Sequence, residues 1–156
     1  MEKHMNDSLS VPLCSLSMDV DNQWSYMKTH GDPGWDSYPS YLDVLIPYAL
    51  EVLREHDLKI TFFIVGEDAA RDKNEQALSQ ICAAGHTVGN HSYTHEPWLH
   101  LYEKSRIHEE IARSEEAIER MTGSAPTVFR GPGFSWSEAL VEVLAEHGYT
   151  LDASSL

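Results

Sequence analysis

The stretch Asn90-His91-Ser92-Tyr93-Thr94-His95-Glu96-Pro97 offers two imidazoles four residues apart, just after a short strand-like run. Neutral imidazoles at that spacing can reach one divalent cation from successive turns of a helix or from a tight loop. A facial set needs a carboxylate too, and the best source lies far upstream in Ser17-Met18-Asp19-Val20-Asp21. There Leu16, Met18 and Val20 alternate with Ser17, Asp19 and Asp21, so a period of two sends both acids off one face at a strand end. Two imidazoles and a carboxylate suit zinc first, with cobalt, nickel or iron fitting the same donors.

The elements that must position these groups follow from periodicity. A buried strand is expected over 11–21, then a long loop from Asn22 to about Ser40 built around Gly31-Asp32-Pro33-Gly34 and carrying Trp24, Tyr26, Trp35 and Tyr38. A helix is expected from near Leu45 to His56, with Leu45, Ala49, Val52 and Leu53 inward and Pro47 in its first turn. The apolar, β-branched run 59–66 reads as a strand covered on both sides. A helix over 73–84 stops at Gly85, and the strand 86–90 delivers the histidines. Beyond it come a helix over 104–121, a strand over 126–130 broken by Gly131-Pro132-Gly133, a helix over 138–147 capped by Ser135 or Ser137, and a strand over 149–152.

Strands alternating with helices at this spacing imply an α/β architecture with a parallel sheet and right-handed crossovers. Chemistry in such folds collects at the carboxyl ends of the strands. Asp19, Asp21, His91, His95, Arg130 and Asp152 all fall there, so residues scattered in sequence are gathered at one rim.

Composition narrows the partners. A chain of 156 residues has the size of one domain, and 42% hydrophobic with 23% charged residues is ordinary for a soluble protein. A net charge of −14 disfavours nucleic acid and anionic membrane, which reward positive surface. Residues 1–10 read as a flexible leader without the apolar segment of a secretory signal, which makes the cytoplasm the expected location. Cys14, in the first strand, and Cys82, on an apolar helix face, are read as buried free thiols.

These motifs resemble the polysaccharide deacetylase family, carbohydrate esterase family four, whose fold is an irregular β/α barrel. Ser17-Met18-Asp19-Val20-Asp21 looks like the family's first motif, in the form with one residue between the acids. His91-Ser92-Tyr93-Thr94-His95 is similar to the second, Phe129-Arg130-Gly131-Pro132-Gly133 to the third, and Gly148-Tyr149-Thr150-Leu151-Asp152 to the approach to the fourth. The resemblance implies that Asp21, His91 and His95 hold a divalent metal and that Asp19 is the general base. It further implies that Arg130 orients Asp19, that Asp152 holds Arg130, and that the reaction hydrolyses an N-acetyl amide of a sugar, glycan or related small amide. Three protein ligands leave room for water and a scissile carbonyl oxygen, and a free carboxylate beside them can take the proton.

Two departures from the pattern stand out. Gly133 occupies the place of the family's aromatic residue after Pro132, with its backbone amide still available to an oxyanion. The family's acid histidine would lie beyond Leu156, so the resemblance implies an incomplete barrel over 11–156, with a sheet edge open to self-association. A silent metal or glycan binder, and a hydrolase of ureides or formamides, are the alternatives.

Trp24, Trp35 and Tyr38 could stack on a sugar, although loop aromatics more often pack onto their scaffold. His86, His100, His108 and His147 are not expected to be ligands, although His100 lies near the site.

Overall fold

In the computed structural model, which describes residues 14–155, the strands β1 (Ser17–Val20), β2 (Thr61–Ile64), β3 (Thr87–Asn90), β4 (Val128–Phe129) and β5 (Leu151–Asp152) form one sheet. All pairs are parallel and the order is β1-β2-β3-β4-β5. Each strand joins beside its predecessor, and with right-handed crossovers that progression puts the helices on one face. This is the α/β construction of a barrel wall. The wall is not closed, since among the described residues β1 and β5 each pair on one side only. The expected leader at 1–10 and the strand start at 11–13 lie outside the described residues.

The two faces of the sheet differ in a way that creates the site. Met18, Val20, Phe62, Ile64 and Val88 point toward the helices and pack with Leu42, Ile46, Leu78, Ile81 and Ile118. The opposite face carries the register Asp19↔Phe63↔Gly89. The Phe63 ring lies so close over Gly89 that a Cβ there would meet ring carbons at 2.6 and 2.7 Å and a Val128 methyl at 2.9 Å. Gly89 therefore lets an aromatic floor spread beneath the acids.

The helices form where periodicity places them, with differences that have physical reasons. α1 (Gln23–His30) replaces the first half of the expected loop, because Asn22 caps it and Gly31 ends it in the left-handed conformation. α2 (Leu42–Glu55) starts three residues before the expected Leu45, so Pro47 sits in the second turn. The carbonyl that loses its partner there is that of Asp43, an exposed residue that water can reach. The buried stripe is Leu42, Ile46, Ala49 and Leu53, and Val52, expected inside, is exposed.

The short α3 (Gly66–Ala69) follows β2, and α4 (Asp72–Ala83) buries Ala77, Leu78 and Ile81. α5 (Lys104–Thr122) buries Ile107, Ile111, Ser114 and Ile118, as its spacing indicates. Ser114 touches Gly66, where a Cβ would come within 2.6 Å of its Oγ. α6 (Glu138–Glu146) is capped by the Ser137 hydroxyl, which accepts the Leu140 N–H. It packs Leu140, Val143 and Leu144 with Ile107, Ile111 and Phe129. Cys14 corrects the expectation of a buried thiol: it is exposed, because strand pairing begins only at Ser17. Cys82 is half-buried, and burial pushes its thiol up from the ordinary value.

Candidate metal centre

Two strand ends and one loop build the centre. β1 delivers Asp21 one residue past its last paired position, and β3 delivers His91 directly after Asn90. The His91 N–H continues the ladder to the Ile64 carbonyl at 2.9 Å, so its backbone is as fixed as a strand residue. His95 returns to the same point through a loop in which Ser92 and His95 are both left-handed, at φ 59° and 51°. Non-glycine residues hold that conformation only where their surroundings over-determine it, at a cost of about 1–3 kcal/mol each.

The surroundings do so here. The carboxylate of Glu110, on α5, is fully buried and accepts the N–H groups of Tyr93 and Thr94 at 3.2 and 2.9 Å and the Thr94 hydroxyl at 3.0 Å. The Lys28 ammonium, on α1, donates to the Thr94 carbonyl at 2.9 Å.

The three side chains converge. Asp21 Oδ1 lies 3.4 Å from His91 Nε2 and 3.3 Å from His95 Nε2, and one donor atom from each residue falls within 4.8 Å of the others. His91 Nδ1 is 2.6 Å from the Arg130 carbonyl, which can only accept, so that nitrogen carries the hydrogen. His91 Nε2 is then a lone pair aimed at a carboxylate. Asp21 Oδ1 is buried without a hydrogen-bond partner. Two acceptors facing one another in a buried spot are satisfied by a cation between them, and nitrogen with carboxylate oxygen suits a borderline divalent ion. The residues therefore fit a metal, with the Arg130 carbonyl orienting the ligand ring.

Protonation states agree with that fit. Burial holds the His91 imidazole below its ordinary value of 6.5, although the Asp21 charge pulls the other way. Burial acts to raise Asp21, but the neighbouring imidazoles, His95 before His91, and the Tyr26 hydroxyl outweigh it, and the carboxyl lies below its ordinary value. Tyr26, on α1, donates to Asp21 Oδ2 at 2.7 Å, and the Tyr41 hydroxyl donates to the Asp21 carbonyl.

Beside the centre, Arg130 is committed on every side. Its Nη1 donates to Asp19 Oδ1 at 2.7 Å, its Nη2 to the Ser17 hydroxyl at 2.7 Å, and its Nε to the Ala153 carbonyl at 3.2 Å. The guanidinium lies over the Phe63 ring, 4.3 Å from its centroid. Among the described residues Asp19 Oδ2 receives no hydrogen bond, so one oxygen of Asp19 is anchored and the other is available.

Asp152 does not hold Arg130, contrary to expectation. Its Oδ1 accepts the Ser154 N–H at 2.9 Å and the Ser154 hydroxyl, and that hydroxyl accepts the Gly131 N–H at 2.8 Å. Asp152 is engaged by Ser154 at the β5 end, and the backbone carbonyl of Ala153 meets the guanidinium instead. Asp152 shapes the Gly131 turn, where Ser135 leaves no room for a Cβ.

The expected sugar contacts separate. Trp24 is fully buried and donates to both Asp68 oxygens, at 3.0 and 3.1 Å, so it braces the scaffold and is unavailable to a ligand. Trp35 packs on it with ring centroids 6.0 Å apart, while Tyr38 is exposed. Pro132 is buried, and Gly133 is exposed with φ 62°. Phe134, one residue later, is exposed and faces the Arg130 guanidinium at 5.8 Å.

Sequence reasoning missed Ser17, Tyr26, Asp68 and Glu110. Ser17 alone had a signal, since it shares the face of Asp19 by period two. Asp68 is buried, and burial raises its carboxyl against the hydrogen bonds of Trp24 and Asn22. Through Asn22, whose amide reaches Asp68 Oδ1 at 3.1 Å, it fixes the residue after Asp21.

A carboxylate and two imidazoles at the carboxyl ends of a singly wound parallel sheet, with an arginine-held acid beside them, mark a β/α barrel wall whose rim carries a site that could hold a metal. The family model for polysaccharide deacetylase matches residues 32–151, and the chain belongs to that family. The match starts after Asp19 and Asp21, so their place rests on the geometry above.

Among curated relatives, the peptidoglycan-N-acetylglucosamine deacetylase of Bacillus cereus is 36% identical over 86 residues, covering 55% of this chain and 30% of its own. The chitin deacetylase of Colletotrichum lindemuthianum is 31% identical over 113 residues, covering 70% and 45%. The family 4 carbohydrate esterase of Streptomyces lividans, solved with acetate, superposes with a TM-score of 0.66 at 28% identity, over 88% of this chain and 59% of its own. The chain spans less than half the length of these two curated relatives.

Proposed function

We propose that this chain carries the metal-binding residues of a hydrolase that removes an acetyl group from an N-acetylated sugar or glycan. The carrying observation is the buried convergence of Asp21, His91 and His95 around an unpaired carboxylate oxygen, with Asp19 held beside it by Arg130. The relatives named for peptidoglycan and chitin deacetylation support the substrate class. The donor set favours zinc, with cobalt, nickel or iron as substitutes.

When bound, the ion would acidify water and polarise the acyl oxygen. Asp19 is the base. Its anchored oxygen fixes the carboxylate plane, and its open oxygen takes the proton from the attacking water. Arg130 keeps that carboxylate from turning into the metal set, since three other groups hold the guanidinium in place. The Gly133 amide, on the turn after Arg130, supplies a donor for the developing negative oxygen. Tyr38 and Phe134 offer exposed rings at which a sugar face can stack.

Acetate release from N-acetylated oligosaccharides by the zinc-loaded protein, compared with Asp19→Asn, tests this reading. Release that needs metal and falls by at least about 100-fold in the variant is expected. Equal release from both proteins would refute the assigned base, and tight metal binding without any release would make the chain a binder.

A further inference from the structure

We infer that His108 and His147 form a second metal site, separate from the Asp21 centre, that takes a divalent transition-metal ion such as Ni2+ or Cu2+ between α5 and α6. His108 Nδ1 and His147 Nε2 face each other at 3.0 Å, with ring centroids 5.2 Å apart. The outer nitrogen of each ring is held by a carboxylate: His147 Nδ1 lies 2.7 Å from Glu115 Oε2, and His108 Nε2 lies 2.9 Å from Glu146 Oε2. Glu115–His147–His108–Glu146 is thus a continuous chain of three polar contacts.

Three such contacts need three hydrogens, and two neutral imidazoles carry two. The carboxylates take the two that exist, because each must receive an N–H. The inner nitrogens are then two lone pairs pointing at one gap, and the cluster is short by one positive charge. Carboxylates on the far nitrogens of both rings are also the arrangement that orients histidine ligands and strengthens them as donors.

Distance and field select the ion. With metal–nitrogen bonds of about 2.0–2.1 Å, a 3.0 Å separation corresponds to an angle of roughly 95° at the metal, which the two rings, facing each other almost head-on, reach by tilting toward one side of the gap. That is a cis pair in the tetragonal geometry of Cu2+ or Ni2+, whereas tetrahedral Zn2+ would require the rings to spread. Glu115 on α5 and Glu146 on α6 contact the pair, and the ammonium of Lys104 lies 2.8 Å from Glu146 and 2.9 Å from Glu142. Tyr149, whose phenol is pushed far above its ordinary value by burial, adds no charge. His147 is the C-terminal cap of α6, where the helix dipole favours a cation. Among the described residues no third side chain completes a ligand set here. His108 is 37% exposed and His147 19%, so water can fill the remaining positions.

Calorimetric titration of the full chain with Ni2+ at neutral pH tests the site, using Asp21→Ala to silence the first centre. Two equivalents are expected in the wild type and one in Asp21→Ala. In the Asp21→Ala background, His108→Gln and His147→Gln should each weaken that remaining equivalent by about tenfold or more. The Cu2+ spectrum of Asp21→Ala should show two coupled nitrogens that are lost in both His108→Gln and His147→Gln, a signature that does not depend on deacetylation. Nitrogens that persist in those variants belong to His91 and His95 and overturn the assignment. Because the glutamine variants alter different helices, an effect common to both marks the shared site and excludes local misfolding of one helix.

If Asp21→Ala binds no stoichiometric Ni2+, the gap holds only a shared proton and the proposal is overturned. An equivalent that survives both glutamine variants overturns it as well. One equivalent in the wild type, kept in Asp21→Ala and lost in His108→Gln, would uphold this site while refuting the Asp21 centre.

Discussion

Two histidine pairs in this chain hold their rings at the same 5.2 Å separation, yet they were assembled in opposite ways. His91 and His95 sit four residues apart on a strained loop between a strand end and a turn, buried, with the ligand ring oriented by a backbone carbonyl. His108 and His147 come from two helices, are partly exposed, and are oriented by side-chain carboxylates. Burial makes the first pair intolerant of anything but a complete ligand set, because an unpaired buried carboxylate is costly. Exposure lets the second pair leave its set to water. A reacting centre needs the first kind of construction, since water-excluded donors act strongly and stay put. A pair of the second kind suits a staple between helices.

The largest effect that would break this contrast is loss of the carboxylate. Asp21→Ala should abolish stoichiometric zinc binding at the buried centre, measured by metal content after dialysis, whereas Glu115→Ala should leave that zinc in place. Next comes the loop that carries His95. Glu110→Ala strands two partly buried backbone N–H groups, and we expect a loss of roughly 1–3 kcal/mol in unfolding free energy together with weaker zinc binding. An unchanged denaturation midpoint would show that the left-handed loop holds itself.

A smaller effect is expected from Tyr26→Phe. It removes the hydroxyl that fixes Asp21 Oδ2 but keeps the ring beside His95, so zinc affinity should fall about tenfold with thermal stability nearly unchanged.

The smallest concerns a third histidine that serves neither pair. His86 Nδ1 accepts the Ile60 N–H at 3.2 Å, and burial, with the Lys59 charge, holds its imidazole below the ordinary 6.5. The folded chain therefore binds fewer protons than the unfolded one between the folded midpoint and about pH 6.5. Stability should be flat above that window on this account and fall as pH drops through it. A ring-proton titration by NMR should place the His86 midpoint under 6.5, and a midpoint above it would remove this contribution.

Much of this architecture was legible along the chain. The continuous run 62–65 and the 3.6-residue stripe of α5 report their own burial, because neighbours in sequence share one face of one element, whereas of the alternating Leu16, Met18 and Val20 only Val20 is fully buried and Leu16 is exposed. The 22–40 segment was harder. Gly31 and Pro33 read as loop signals, but the Asn22 cap and the buried Trp24 make α1 worth forming only once Asp68 is there to receive the indole. Asp152 was misplaced for a related reason, since its position at a strand end was readable and the direction of its side chain was not.

What the sequence determined by itself is therefore the set of elements and the residues stationed at their ends: two acids on one strand face, two imidazoles four apart, and an arginine ahead of a Gly-Pro-Gly turn. Periodicity and spacing encode these locally. The family resemblance had already set Arg130 beside Asp19, and only the tertiary structure decided that Ser17 and the Ala153 carbonyl hold that guanidinium, that Glu110 holds the His95 loop, and that His108 meets His147. Those pairings depend on strand order, register and helix packing, which arise from burying many apolar groups at once and leave no mark on the spacing of any two residues.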